Sequence, residues 1–127
     1  MRTIIYDENT KAFSVSNPMP IKYSYDTTNS FSATFTTADC TTALTVKAAT
    51  SGKSIYITDI LFSSGTTMTF LLQDGDGTAI IYPVYTTANY PQKLSFITPI
   101  KVTASKSLQI KTSAAGTMTV TVAGYVA

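Results

Sequence analysis

The residues of this chain that could do chemistry are few, and their spacing decides how far each can go. Asp74 and Asp76 alternate with Gly75 and Gly77, a run that could begin a calcium loop. An EF-hand loop starting at Asp74 needs a Gly at its sixth position for the sharp turn and a bidentate Glu at its twelfth. Ala79 and Tyr85 stand there instead. The run therefore reads as tight hairpin chemistry, leaving room only for a weak surface calcium site. Gly52-Lys53-Ser54 has the ending of a phosphate-binding loop, but Lys47 occupies the place of that motif's first Gly. It also lies between two strand patterns, where no helix N-terminus can face a phosphate, so it reads as a turn.

The chain has no His and no Trp. Lacking His removes most general-base catalysis near neutral pH, the usual zinc sites and Ser-His triads. A carboxylate pair for glycoside cleavage would have to come from Glu8 and a few Asp residues, most of them in turns. The sequence thus predicts no enzyme and calls for no cofactor. Cys40 is the only cysteine, so no intrachain disulfide can form; its thiol reads as a small semi-buried side chain or a loop thiol. Tyrosines remain. Tyr82, Tyr85 and Tyr90 lie on or beside one strand, and Tyr23 and Tyr25 follow a proline-rich joint. Exposed aromatics can stack on sugars or fill an interface, and the plainer alternative is a sheet rim with the hydroxyl in water.

What must position these residues is a chain of 127 residues with 44% hydrophobic and 13% charged side chains. That length fits one domain burying roughly two-thirds of the surface its unfolded form exposes. The formal charge is +2 and the lysines are scattered singly, which excludes the clustered basic surface of a nucleic-acid binder. No run approaches the ~18 apolar residues needed to span a membrane. The N-terminus MRTIIYDENTK lacks an uninterrupted apolar stretch and a small-residue cleavage site, so it does not read as a secretory signal. The expectation is synthesis in a cytoplasm, followed by solubility there or entry into an assembly.

Residues 1–20 differ from the rest. Thr3–Tyr6 and Ala12–Ser16 can pair across the turn Asp7–Thr10, and Asn17-Pro18-Met19-Pro20 then breaks the backbone, since each Pro lacks an N–H and disfavours helix before it. This is an arm and a stiff joint, packed either on its own domain or on a neighbour. Residues 21–127 carry period-two patterns instead. Ile21–Tyr25, Phe31–Phe35, Ala43–Ala48, Thr66–Gln73 and Thr78–Tyr85 are strand candidates, with Leu94–Ile97 and Ile100–Val102 bent at Thr98-Pro99. In Ser54–Ser63 the parity changes between Ile55 and Ile57 and the pair Ile60 and Phe62, which a bulge near Thr58–Asp59 would reconcile. Lys106–Val126 reads as two strands joined by Ala114-Ala115-Gly116 and closing the fold. About eight short strands at spacings of roughly 8–12 residues, with no helical period, predict an all-β fold: a two-sheet antiparallel β-sandwich.

Thr78–Tyr85 is the unusual strand. Ile81 on one face is matched by Ile80, Tyr82 and Val84 on the other, and Pro83 points to an edge or a bulge. A row apolar on both faces beside Tyr85 and Tyr90 predicts burial against a partner.

Several of these segments resemble the small jelly-roll domains of tailed-bacteriophage virion proteins: head decoration (cement) proteins, head fibres and related tail proteins. The similar pieces are Gly52-Lys53 with IYITDI (Ile55–Ile60), Gly65 with TMTFLLQDGDGT, and Ala88-Asn89. The strongest piece is Thr103–Val126, and the leader NPMPIKY (Asn17–Tyr23) is similar to segments that precede such domains. Where that family often carries paired Gly, this chain has Asn89-Tyr90-Pro91. The resemblance implies a jelly-roll sandwich and a non-enzymatic subunit on the capsid or tail surface of a virion, assembled from the host cytoplasm. Its partners would be itself, as a homotrimer, and the major capsid protein or another virion protein, with no nucleic acid or membrane. On that expectation Ile80, Tyr82, Val84, Tyr85 and Tyr90 form the oligomer interface, and Ile4, Ile5, Tyr6, Pro18 and Pro20 anchor the arm to the particle. The alternative is a receptor- or carbohydrate-binding module of a fibre or tail.

Overall fold

The computed structural model describes residues 29–127, apart from the side chain of Tyr82. The arm, the joint, the boundary after residue 20, the strand expected over Ile21–Tyr25 and the anchor residues Ile4, Ile5, Tyr6, Pro18 and Pro20 lie outside the described residues. So do Tyr23 and Tyr25.

Alternating apolar and hydroxyl side chains produce strands here because one face of each can be buried while β-branched Thr suits the other. Among the described residues eight strands result: β1 (Ser30–Thr37), β2 (Leu44–Lys47), β3 (Ile55–Ser64), β4 (Met68–Asp74), β5 (Ala79–Thr86), β6 (Gln92–Lys101), β7 (Leu108–Thr112) and β8 (Met118–Val126). Among the described residues there is no helix. The strands form two four-stranded sheets, ordered β1-β8-β3-β6 and β2-β7-β4-β5. All pairings are antiparallel, and they nest: β4 with β5, β3 with β6, β2 with β7 and β1 with β8. The β-sandwich expected from the sequence is therefore present. Only the β4–β5 connection joins hydrogen-bonded neighbours; every other loop crosses from one sheet to the other. The two strands within Lys106–Val126 are where the alternation places them, yet they lie in opposite sheets and do not pair with each other.

The core lies between the sheets. Ile55, Ile57, Ile60 and Phe62 of β3, with Met118, Val120 and Val122 of β8, meet Met68, Phe70 and Leu72 of β4 and Leu108 and Ile110 of β7. Phe62 stacks on Phe70 across the sandwich with ring centroids 4.4 Å apart. Each such side chain contributes about 1.5–3 kcal/mol on burial, and no disulfide assists them. Cys40 is a loop thiol, fully buried rather than semi-buried, and its Sγ donates to the Ile110 carbonyl at 3.3 Å.

Four strands carry bulges or register shifts, β2 between Thr45 and Lys47 among them. In β3 the register shifts between Ile57 and Asp59, which turns Ile55, Ile57, Ile60 and Phe62 all inward, as their parity demands. Gly124 makes this bulge feasible, because a Cβ there would collide with the Tyr56 carbonyl oxygen. In β6, Ile100 opposes Ile57 and Ser95 opposes Asp59, so Phe96–Pro99 leave the ladder. The expected bend at Thr98-Pro99 falls within this one strand instead of separating two.

The bulges of β5 correct an expectation. Phe70 opposes Val84, Leu72 opposes Ile81 and Gln73 opposes Ala79, with a register shift at each step. Each shift changes which face the next side chain takes. Ile80, Ile81 and Val84 consequently all pack, half-buried, against the core. Ile80 and Val84 do not form an exposed apolar row, and the strand is not apolar on two open faces. Pro83 is exposed on β5, the end strand of its sheet among the described residues, where a missing donor costs no ladder bond to a further described strand.

Candidate functional site

The candidate surface is the rim of β5 and the loop that leaves it. Tyr85 opposes Thr69 and is 82% exposed; Tyr90 is 68% exposed. Both belong to the predicted interface set, and the structure places them at the two ends of one loop. Ile80 and Val84 of that set turn toward the core, and the Tyr82 side chain is outside the described set.

The loop is pinned. Thr86 Oγ1 donates to the Met68 carbonyl at 2.6 Å, the Ala88 amide to Thr67 Oγ1 at 3.2 Å, and the Asn89 amide to the Ser64 carbonyl at 2.7 Å. The Tyr90 amide closes the turn onto the Thr87 carbonyl at 3.2 Å. Asn89 sits at φ 61°, a left-handed conformation that Asn tolerates better than most non-glycine residues. Tyr90 is thus presented from a fixed backbone, which lowers the ordering cost of any contact it makes. Beside it an open cleft of about 430 Å³ runs between the loop and the end of the first sheet, lined by Ser63, Ser64, Gly65, Asn89, Pro91, Thr117 and Thr119. No ionisable side chain lines it, so it can bind by hydroxyl and amide contacts but holds no proton-transfer machinery.

Three exposed apolar side chains, Leu44, Leu61 and Ile97, were not singled out by the sequence. Ile97 is 104% exposed, and Leu61 stands on the outer face of the first sheet. Ile97 alternates with the part-buried Leu94 and Phe96 and so falls on the outer face with Lys93 and Ser95, within the stretch that leaves the ladder opposite β3.

The other chemical candidates are occupied. The Asp74 carboxylate is buried and turned into its own hairpin, its Oδ1 accepting the amides of Asp76 and Thr78 at 2.9 and 3.0 Å. Asp76 Oδ2 pairs with Lys106 Nζ at 2.7 Å. Among the described residues no three His, Cys, Asp or Glu side chains converge. At Gly52-Lys53-Ser54 the Gly52 amide donates to Ser105 Oγ at 2.8 Å and the Lys53 amide to the Thr50 carbonyl at 3.1 Å, the bonds of a turn rather than a phosphate cradle. Burial pushes the Cys40 thiol up, away from the thiolate a nucleophile needs. No helix among the described residues is long and apolar enough to cross a membrane.

Comparison with protein-family models and with curated proteins gives no match.

Proposed function

We propose that this chain is a non-enzymatic subunit of a tailed-bacteriophage virion, a head decoration or head-fibre protein held to the particle by protein contacts. The observation that carries this reading is the nesting of the strand pairs β1–β8, β2–β7, β3–β6 and β4–β5. Nested antiparallel pairing of this kind is what a double Greek key requires, which supports the jelly-roll reading. The strands span the stretch whose sequence resembles phage jelly-roll domains. The pinned, tyrosine-bearing rim supports a role in contact rather than turnover. The reading includes a homotrimer formed through Tyr85 and Tyr90, since a closed symmetry covers the same patch on every copy, and anchoring through residues 1–20.

Immunogold labelling of intact particles is the test. Label on heads is expected; label confined to a fibre or tail tip replaces decoration with recognition, and its absence from purified particles rejects the virion role. Native mass spectrometry of the purified chain addresses assembly: a trimer is expected that Tyr90→Lys dissociates, and a wild-type monomer at micromolar concentration rejects it. Deleting residues 1–20 should leave β-type circular dichroism intact and abolish co-sedimentation with capsids.

A further inference from the structure

The outer face of the first sheet is organised in ranks that run across its strands. Two ranks close on themselves. Thr34 and Thr121 share a hydroxyl bond at 2.8 Å, and Thr36 and Thr119 one at 2.9 Å. The neighbouring rank is hollow: Ser32 opposes Ala123, Ala123 opposes Asp59, and Asp59 opposes Ser95. Ala123 contributes only a methyl group, so a depression of about 380 Å³ opens there. Ser30, Ser32, Thr58 and Asp59 supply its polar lining, and Phe31, Ala123 and Gly124 its apolar one. This lies within the roughly 300–1,000 Å³ usual for small-molecule clefts.

Its polar groups are set for a ligand rich in hydroxyls. Ser95 Oγ donates to Asp59 Oδ1 at 2.7 Å, fixing the carboxylate. The Ser95 hydroxyl, above all, holds the Asp59 carboxyl below the usual carboxylate range, so it stays an acceptor at neutral pH. The Thr58 hydroxyl is itself oriented, donating to the Ala123 carbonyl at 3.2 Å. Ser30 and Ser32 are exposed, and their hydroxyls bond to no other described residue. One rank along, about 7 Å at the usual strand rise, Tyr56 and Tyr125 stack with centroids 4.9 Å apart and planes at 8°. They stand on the same outer face, beyond the residues that line the depression.

We propose that this depression binds a neutral hexopyranose, one sugar unit of a glycan. A carboxylate accepts charge-assisted bonds from a vicinal pair of sugar hydroxyls, the serines complete the polar contacts, and Phe31, Ala123 and Gly124 give the ring's C–H groups an apolar lining. No cationic side chain lines the depression, which disfavours an anionic ligand, and one carboxylate does not make a metal cage. None of the large exposed apolar residues Leu44, Leu61, Tyr85, Tyr90 and Ile97 lines it, unlike the anchors of a protein interface. The site goes beyond the virion reading and stands without it, because the purified chain alone is assayed.

The test is an NMR titration of the full-length labelled chain with methyl glucoside, methyl galactoside, methyl mannoside and N-acetylglucosamine, at the millimolar level suited to single sugars. At least one should shift the amides of Ser32, Thr58, Asp59, Ala123 and Tyr125. Asp59→Ala should weaken that sugar roughly tenfold or more. Ala123→Leu, which fills the depression and leaves Asp59 in place, should abolish it. Thr119→Val, two ranks away, should leave the affinity unchanged and its spectrum folded. No response to any of the four sugars, shifts centred on Tyr85 and Tyr90, or binding that survives both Asp59→Ala and Ala123→Leu each overturns the assignment. A depression that ignores the sugars but loses a protein partner on Ala123→Leu is a protein contact, which also overturns it.

Discussion

Two turns that look alike in sequence do different work in this fold. Asp74–Gly77 and Ala114–Gly116 both place glycine between alternating strands. The first joins β4 to β5, its hydrogen-bonded neighbour, while the second carries the chain from β7 in one sheet to β8 in the other. Their bonds explain the difference. Within the first, the Asp74 amide donates to the Thr78 carbonyl and the Gly77 amide to the Asp74 carbonyl, both at 2.9 Å, and the Asp74 carboxylate collects two more amides. Around the second, the Gly116 amide reaches the Ala38 carbonyl and the Ser113 amide the Thr69 carbonyl, again at 2.9 Å. One turn is satisfied by itself, the other by distant parts of the chain. Turn chemistry therefore marks where a chain reverses, and long-range partners decide which sheet receives it.

The strongest way to break this comparison is to place the same methyl group in each turn. Gly116 has φ +153°, and a Cβ there would meet Thr66 Oγ1 at 2.5 Å and Thr66 Cβ at 2.8 Å. Gly77 has φ +87°, and the nearest atom to its added Cβ is Gln73 Nε2 at 3.9 Å. Gly116→Ala should therefore combine backbone strain with a collision and cost about 3 kcal/mol or more. Gly77→Ala should incur the backbone term alone, about 1–2 kcal/mol. Urea unfolding of the two variants checks the order. Equal losses would show that the loop at Thr66 yields freely, and that the crossover is no more constrained than the hairpin.

Removing the carboxylate from the self-contained turn is the next largest change. Asp74→Ala leaves the amides of Asp76 and Thr78 without their buried acceptor and should cost about 1–3 kcal/mol in thermal or urea unfolding. Asp74→Asn keeps an acceptor in the same place and should cost less. An alanine variant as stable as wild type would mean that the backbone bonds alone hold the hairpin.

The same contrast explains what could be read from the chain. The bulge in β3 was legible because Ile55, Ile57, Ile60 and Phe62 must share a core, and only one parity change permits that. The bulges of β5 were not, since they arise from the register of Val84, Ile81 and Ala79 against β4, a relation between distant segments. Ile80 and Val84 consequently looked like a second apolar face and are half-buried against the core. Ile97, by contrast, follows plain alternation, outward with Lys93 and Ser95 while Leu94 and Phe96 turn in. Of the candidate rim, Tyr85 and Tyr90 were visible beside Pro83 and Pro91. The hollow at Ala123 was not, because β1, β8 and β3 bring Ser32, Ala123 and Asp59 into one rank from three remote stretches.

The smallest expected effect lies in the one ion pair that ties the hairpin to the segment before β7. Lys106 Nζ and Asp76 Oδ2 are 2.7 Å apart, but both side chains are substantially exposed. Exposed pairs contribute little, since solvent screens their attraction and ordering two side chains offsets it. The hydrogen bond that Lys106 donates to Asp76 raises its pKa above the ordinary 10.5, and the Asp76 charge adds to this. A lysine raised on folding contributes its stability fully below the ordinary lysine range and loses it as pH climbs through the raised value. Lys106→Met should therefore melt only slightly below wild type at neutral pH and low salt. That gap should close at about 1 M salt, where the screening length falls to about 3 Å, and close again in alkali once Lys106 is neutral. A gap that persists under both conditions would place the contribution in packing of the Lys106 stem beside Asp76, and the hairpin would then depend on its neighbour after all.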